Sequence, residues 1–184
     1  MGRADETRRR LLEAATVEFA NHGIAGARVE RIAVNAGCNK QAIYAYFESK
    51  VGLFDAVYHR IVVDTVESVP MDARDLPGYA GRLFDRYRVH PEVQRLTAWF
   101  QFERNSAIDP PAIARAARDK IAQLRAAQDE GAIAGAIAPE HLLALIQRMA
   151  TVGVYSSPET GRAEKPTRAM RDALVDGVRK LVEP

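Results

Sequence analysis

Along nearly the whole chain, apolar residues return every three or four positions, and this spacing constrains the fold more than any other feature. A chain patterned this way forms helices and must bury the apolar stripe of each one against another. Leu11, Leu12, Ala15 and Phe19 set the first stripe, over residues 5–22, with Arg8, Glu13 and Glu18 outside it. Gly23 comes next as a left-handed C-cap. Val29, Ile32, Ala33 and Ala36 share the face of a second helix, residues 28–36. Ala36-Gly37-Cys38-Asn39 then reads as a tight turn, in which Gly37 is free to take positive φ and Asn39 can N-cap a third helix. That helix, Lys40 to Phe47, is short and turns Ile43 and Phe47 inward. Ser49 caps a longer one, with Phe54, Val57, Ile61 and Thr65 in register, which ends before Pro70.

Beyond Pro70 the composition shifts to Ala-rich helices punctuated by proline. The spacing predicts helices over 75–89, from Pro91 to about Asn105, from Pro110 and Pro111 to about Glu130, from Pro139, and over 167–182. Ser156 to Lys165, with Pro158 and Gly161, reads as a loop. No segment alternates as a strand does, so the expectation is an all-α fold of about nine helices. A chain of this length buries roughly 70 % of its unfolded surface and needs no disulfide or metal to fold. Cys38 is the only thiol, which excludes an intrachain disulfide and fits a reducing compartment. Charged Arg3, Asp5, Glu6 and Arg8 to Arg10 stand where a signal peptide needs an apolar run, and no stretch reaches the ~20 apolar residues of a membrane span. A soluble, cytoplasmic protein is expected.

The formal net charge is only +2, which argues against a wholesale nucleic-acid coat. Its distribution is uneven. Arg3, Arg8, Arg9, Arg10, Arg28, Arg31, Lys40 and Lys50 outnumber the acids of residues 1–50 by two, whereas the acids and bases of 51–184 cancel.

The informative stretch is RVERIAVNAGCNKQAIYAYFESK, Arg28 to Lys50. It reads as helix, glycine turn, short helix, aromatic end, serine cap and lysine, the layout of a helix-turn-helix whose second helix lies in the DNA major groove. With Ile43 and Phe47 inside, the short helix leaves Lys40, Gln41, Ala42, Tyr44, Ala45 and Tyr46 largely outside. Small residues allow close approach to base edges, and Ala42 or Ala45 could meet a thymine methyl. Gln41 suits bidentate adenine readout. Lys40, Tyr44, Tyr46 and Lys50 carry donors for phosphate oxygens, which set register rather than sequence. Helix pairs around a glycine also occur in all-α proteins that never touch DNA, so periodicity alone leaves both readings open.

Residues 5–60 resemble the N-terminal domain of the TetR (tetracycline-repressor-like) transcriptional regulators. The resemblance runs through Thr7-Arg8, Leu11-Leu12-Glu13-Ala14-Ala15, Phe19-Ala20, Gly23, Val29, Ile32-Ala33 and Ala36-Gly37. It continues through Asn39-Lys40, Ile43-Tyr44-Ala45-Tyr46-Phe47, Ser49-Lys50 and Leu53-Phe54. It implies that Arg28 opens the second helix near the DNA backbone, that Lys40 to Tyr46 form the recognition helix, and that Lys50 meets a phosphate. Residues 1–48 would then be the DNA-binding domain, and 49–184 a helical domain for dimerisation and effector binding. Three positions depart from the family pattern. Ala27 stands where a Thr often caps the second helix, so that cap is lost. Gln41 and Ala42 replace the small residues common early in the recognition helix. Gly52 replaces a helix former and reads as a mild loss of propensity.

In the C-terminal two thirds, Leu142, Leu145, Ile146 and Met149 make one apolar face, and Met170, Ala173, Leu174, Gly177, Val178 and Leu181 another. Two such faces can pair with their symmetry mates as a four-helix bundle or be buried within one subunit. A homodimer also suits double-stranded DNA, because one short helix reads few base pairs and a palindromic operator doubles the site. Phe84, Tyr87, Trp99, Phe100 and Phe102 are the densest aromatic cluster, read either as core or as an apolar effector pocket with Glu103 among its polar contacts. His59, His90 and His141 show no metal-ligand spacing, and no catalytic set or phosphate loop appears. No cofactor, metal or enzymatic activity is expected. The expected function is therefore a DNA-binding transcriptional regulator, a repressor released by a small molecule. The alternatives are an activator, or an all-α small-molecule-binding protein or enzyme whose helix-turn-helix is only structural.

Overall fold

The computed structural model describes residues 2–104, 111–153 and 166–184. Nine helices occur among them: α1 (Arg3–Gly26), α2 (Val29–Asn35), α3 (Lys40–Phe47), α4 (Lys50–Ser68), α5 (Leu76–Val89), α6 (Pro91–Glu103), α7 (Pro111–Asp129), α8 (Pro139–Met149) and α9 (Arg168–Val182). The all-α expectation holds. The segment expected to form a loop, Ser156 to Lys165, lies outside the described residues. None of the helices described is long and apolar enough to cross a membrane.

Local chemistry sets the helix boundaries. Asn39 accepts a hydrogen bond from the Ala42 N–H at 2.9 Å and starts α3, and Ser49 accepts one from the Gly52 N–H at 2.9 Å and starts α4. Asp75 and Thr167 cap α5 and α9 in the same way. Pro91, Pro111 and Pro139 occupy first helical positions, where a missing N–H costs nothing.

The chain divides into two compact units, one of Met1–Val63 with Glu92–Asp109, the other of Asp64–Pro91 with Pro110–Pro184. In the first, Leu11, Phe19, Ile32, Ile43, Leu53, Phe54 and Leu96 are fully buried. An aromatic column ties its helices together. Phe19 meets Phe54 edge-on at 5.2 Å, Phe54 stacks on Tyr58 at 6.4 Å, and Tyr58 stacks on Phe100 at 4.0 Å. Phe100 of α6 is thus a core residue of the unit that holds α1 to α3.

The second unit packs α5 against α9 and α8 around Tyr79, Leu83, Phe84, Leu142, Ile146, Leu174 and Val178. Arg171 crosses from α9 to pair with Asp85 of α5 at 2.8 Å. Lys120 of α7 donates to the Tyr79 hydroxyl at 3.0 Å, with its ammonium 5.2 Å from the ring centroid. Burial pushes the Tyr79 hydroxyl up to about 12 and the Lys120 ammonium down.

Truncating Phe100 to Ala removes the last ring of the aromatic column and leaves a cavity in the first unit. Urea denaturation of Phe100→Ala should show a loss of about 3–5 kcal/mol.

Candidate nucleic-acid interface

The turn from α2 to α3 presents a short helix with two faces. Ile43 is fully buried and Phe47 is 7 % exposed, which pins the inner face. Lys40, Gln41, Tyr44, Ala45 and Tyr46 are exposed, and Ala42 is half-buried at the edge. The two tyrosines are 44 % and 38 % exposed. The structure therefore leaves the α3 residues read as a recognition surface around the exposed circumference of one helix, with exposed Arg28 at the start of α2 and Lys50 at the start of α4.

The cations of the first fifty residues differ in what holds them. Arg9 is paired with Glu6 and Glu13, each at 2.6 Å. Arg8 lies over the Phe47 ring at 5.5 Å. Arg10 approaches the half-buried Cys38 thiol at 3.9 Å. Lys40 is paired with Glu30 at 2.6 Å, and this bond first, then the charge, holds the Glu30 carboxyl below and the Lys40 ammonium above their ordinary values. The Arg28 guanidinium makes no hydrogen bond or ion pair among the described residues.

Lys50 is half-buried, and its ammonium donates to the carbonyls of Ala25 and Ala27 at 3.4 and 3.2 Å. Those carbonyls belong to the α1–α2 joint, where four charged side chains satisfy the backbone. Glu103 of α6 accepts from the Ile24 and Ala25 N–H groups at 3.1 and 2.9 Å. Glu18 of α1 accepts from the Arg28 N–H at 2.8 Å. Arg31 of α2 pairs with Glu18 at 2.5 Å and reaches the Gly26 carbonyl at 3.4 Å. Gly23 makes the joint possible. It takes φ +65° with ψ −174°, so it kinks α1 in an extended positive-φ conformation instead of closing it as the left-handed C-cap expected, and a β-carbon there would collide with Glu103 Oε1 and lie 2.9 Å from Trp99 Cε3.

Two sequence expectations need correction, one at this joint and one where α3 meets α4. Glu18, placed outside the first apolar stripe, is only 5 % exposed. The signal for its burial was present: it stands three residues after Ala15 and seven after Leu11, on the stripe itself. The N-cap position of α2 is Arg28, which makes no side-chain cap bond, and this carboxylate accepts from its N–H. Burial pushes the Glu18 carboxyl up, but Arg31, the Arg28 N–H and His22 together outweigh it and leave it below its ordinary value. Gly52 also has a stronger reason than propensity. A β-carbon there would run into the Phe47 carbonyl oxygen, so α3 can close onto α4 only over glycine.

The aromatic cluster separates. Phe84 and Tyr87 are buried in the second unit, whereas Trp99, Phe100, Phe102 and Glu103 belong to the first. Within the first, Trp99 packs on Gly23, Phe100 stacks on Tyr58, and Phe102 is 80 % exposed. In the second, Phe84 lines a cavity of about 410 Å³ with Asp85, Arg88, Thr167 and Arg171. Of the residues read as a dimer face, Leu142, Ile146, Leu174 and Val178 are buried within the chain. Leu145 is 43 % exposed, Ala173 is exposed, and Met149, Met170, Gly177 and Leu181 are partly so.

Known proteins share both halves of this sequence. A family model described as "Bacterial regulatory proteins, tetR family" matches residues 11–57, and one described as "Tetracyclin repressor-like, C-terminal domain" matches residues 75–180. The HTH-type transcriptional repressor SCO4008 of Streptomyces coelicolor is 38 % identical over 97 % of this chain and 96 % of its own length. The crystal structure of SCO4942, also from Streptomyces coelicolor, superposes with a TM-score of 0.85 at 37 % identity, covering 96 % of this chain and 98 % of that one. AibR, solved with isovaleryl coenzyme A and operator DNA, shares the fold, with a TM-score of 0.67 at 16 % identity over 94 % of this chain and 97 % of that one.

Because the folded Glu18 carboxyl lies below the ordinary value of 4.5, its stabilising contribution is complete above that value and is lost as pH falls through the folded one. Glu18→Gln should lower stability by about 1–3 kcal/mol at neutral pH and flatten the acid limb of a stability-versus-pH curve measured by chemical denaturation.

Proposed function

The chain belongs to the TetR family of bacterial regulatory proteins, and from that premise we propose that it is a cytoplasmic transcriptional repressor that binds a palindromic operator as a homodimer and leaves it when a small molecule binds. The observation that carries the DNA-binding part is α3: a helix anchored by Ile43 and Phe47 that turns Lys40, Gln41, Tyr44, Ala45 and Tyr46 to solvent. Apolar burial fixes one face so that the other can be spent on a major groove. Gln41, Ala42 and Ala45 would meet base edges, while Arg28, Lys40, Tyr44 and Tyr46 would hold phosphates. Lys50, at the start of α4, would meet phosphate beside the joint carbonyls to which its ammonium donates. Residues 1–48 act as the DNA-binding domain, inside a compact unit that also takes in the following helix as far as Val63 and α6.

Residues 49–184 would supply dimerisation and effector binding. Leu145, Met149, Met170, Ala173, Gly177 and Leu181 remain at least partly exposed on α8 and α9, and a second copy would cover them. Two recognition helices would then enter successive major grooves about 34 Å apart. The cavity beside Phe84 falls within the range of small-molecule sites, and its mixture of Arg and Asp suits a polar effector. A ligand that binds one of two conformations better shifts the pair away from the operator spacing. The repressor sign follows the likeness to SCO4008.

Selection of bound duplexes from a random pool should return an inverted repeat. On such a duplex, Tyr44→Ala should weaken binding about tenfold, and Arg28→Ala should reduce the slope of log affinity against log salt by about 0.9, the loss of one phosphate contact. If wild-type protein shows no salt-sensitive affinity for any DNA, the rival reading of a purely structural helix-turn-helix stands instead. Leu145→Glu should convert the dimer to monomer in sedimentation velocity at micromolar concentration, because a carboxylate in the centre of an apolar interface is left without a partner.

A further inference from the structure

At the α1–α2 joint a side chain far along the sequence bonds the backbone that leads into α2 and α3. Gly23 kinks α1 near its end, and backbone groups just beyond the kink take side chains as partners. Two of the N–H groups, those of Ile24 and Ala25, go to a single carboxylate, one to each oxygen, at 3.1 and 2.9 Å. That carboxylate is Glu103, the last residue of α6, which lies 78 residues away from Ala25 in sequence. On the other side of the same length of backbone, Lys50 takes the Ala25 and Ala27 carbonyls. The short segment that aims α2 is thus gripped between an anion on its N–H side and a cation on its C=O side. Gly23 and Trp99 complete the fit, since any β-carbon at position 23 would displace both the carboxylate and the indole.

We propose that Glu103 is a positioning residue for DNA recognition: through the Ile24 and Ala25 amides its carboxylate fixes the angle at which α2, and α3 behind it, present Arg28 and the Lys40–Tyr46 surface. The inference rests on the DNA-binding function proposed for α3. Glu103 itself touches no DNA in this scheme. Its charge opposes phosphate, and that makes the two possible roles distinguishable by sign. A carboxylate that acted only through its field would weaken DNA binding, so removing it would raise affinity for every duplex. A carboxylate that positions the joint does the reverse on the correct sequence alone. A charged acceptor with two N–H partners is a strong one, and its loss loosens the geometry on which base contacts depend.

The test compares wild type, Glu103→Ala and Glu103→Gln on the duplex selected by wild type and on a scrambled duplex of equal length, over a salt series. Glu103→Ala should lower affinity for the selected duplex about tenfold, leave the scrambled duplex unchanged or slightly tighter, and keep the salt slope of wild type. Glu103→Gln keeps one acceptor oxygen in place and should fall between the two; it also carries the test if the alanine variant does not fold. A general loss of folded protein would lower both affinities in proportion, whereas positioning lowers their ratio. Amide exchange followed by NMR gives a readout that needs no DNA: Ile24 and Ala25 should lose protection in both variants while core amides of α4 keep theirs. An unchanged or raised affinity for the selected duplex overturns the role of Glu103 and leaves the DNA-binding reading intact. Failure of wild type to bind any DNA overturns both.

Discussion

The helix-turn-helix hangs on a five-residue stretch of backbone, Ile24 to Arg28, that spans the kinked end of α1 and the turn into α2. Once Gly23 kinks the helix, backbone groups beyond it need new partners, and one left unpaired costs on the order of 1–3 kcal/mol where it is buried. The sequence solves this with charge rather than with a longer helix or a capping hydroxyl. Glu103 takes two amides, Glu18 a third, and Lys50 and Arg31 take carbonyls. These side chains come from α1, α2, α4 and α6, so every helix around the joint is tied to the same short segment. Apolar packing could bring those helices together, but it is non-directional and would leave the angle of α2 loosely set.

The same arrangement accounts for a near-neutral chain with a nucleic-acid surface. Much of the positive charge in the first fifty residues is used internally: Arg9 on Glu6 and Glu13, Arg31 on Glu18, and Lys40 on Glu30. Those pairs are largely exposed and add little stability in water. Glu18, at 5 % exposure, is the exception, since a buried carboxylate must be compensated. Arg28 is left over and stands where the second helix opens. An excess of two charges is sufficient when Arg9, Arg31 and Lys40 are paired locally, because what phosphate meets is the surface and not the sum.

Features that depend on neighbours in sequence were legible before the structure. Asn39 and Ser49 as caps, the positive φ of Gly23, the first-turn prolines of α6 and α8, and the inward pair Ile43 and Phe47 all follow from spacing and local chemistry. Features that depend on tertiary approach were not. Glu103 sits in an aromatic run that reads as core or pocket, and nothing local says that its partners are amides 78 and 79 residues earlier. Gly52 reads as a weak helix residue until the Phe47 carbonyl is seen against it. Apolar faces are also ambiguous by nature: on α8 and α9 the pattern cannot separate Leu142 and Val178, buried within one chain, from Leu145, which remains exposed.

The end of α6 makes two attachments of different quality. Glu103 grips the joint with both oxygens satisfied. Its neighbour Arg104 reaches Asp55 of α4 at 3.0 Å through one nitrogen, while Arg104 Nε and Asp55 Oδ1 are buried with no partner. Burial pushes the Asp55 carboxyl up, and the Arg104 charge and hydrogen bond only partly offset it. A carboxyl raised by burial is favoured in its protonated form, so that contribution is lost as pH rises through the folded value. The less satisfied pair does not free α4, because Tyr58 of α4 stacks on Phe100 of α6 at 4.0 Å and Lys50 ties its start to the joint. The helix-turn-helix, α4 and α6 are accordingly held as one body, α4 by ring stacking and the joint by charge.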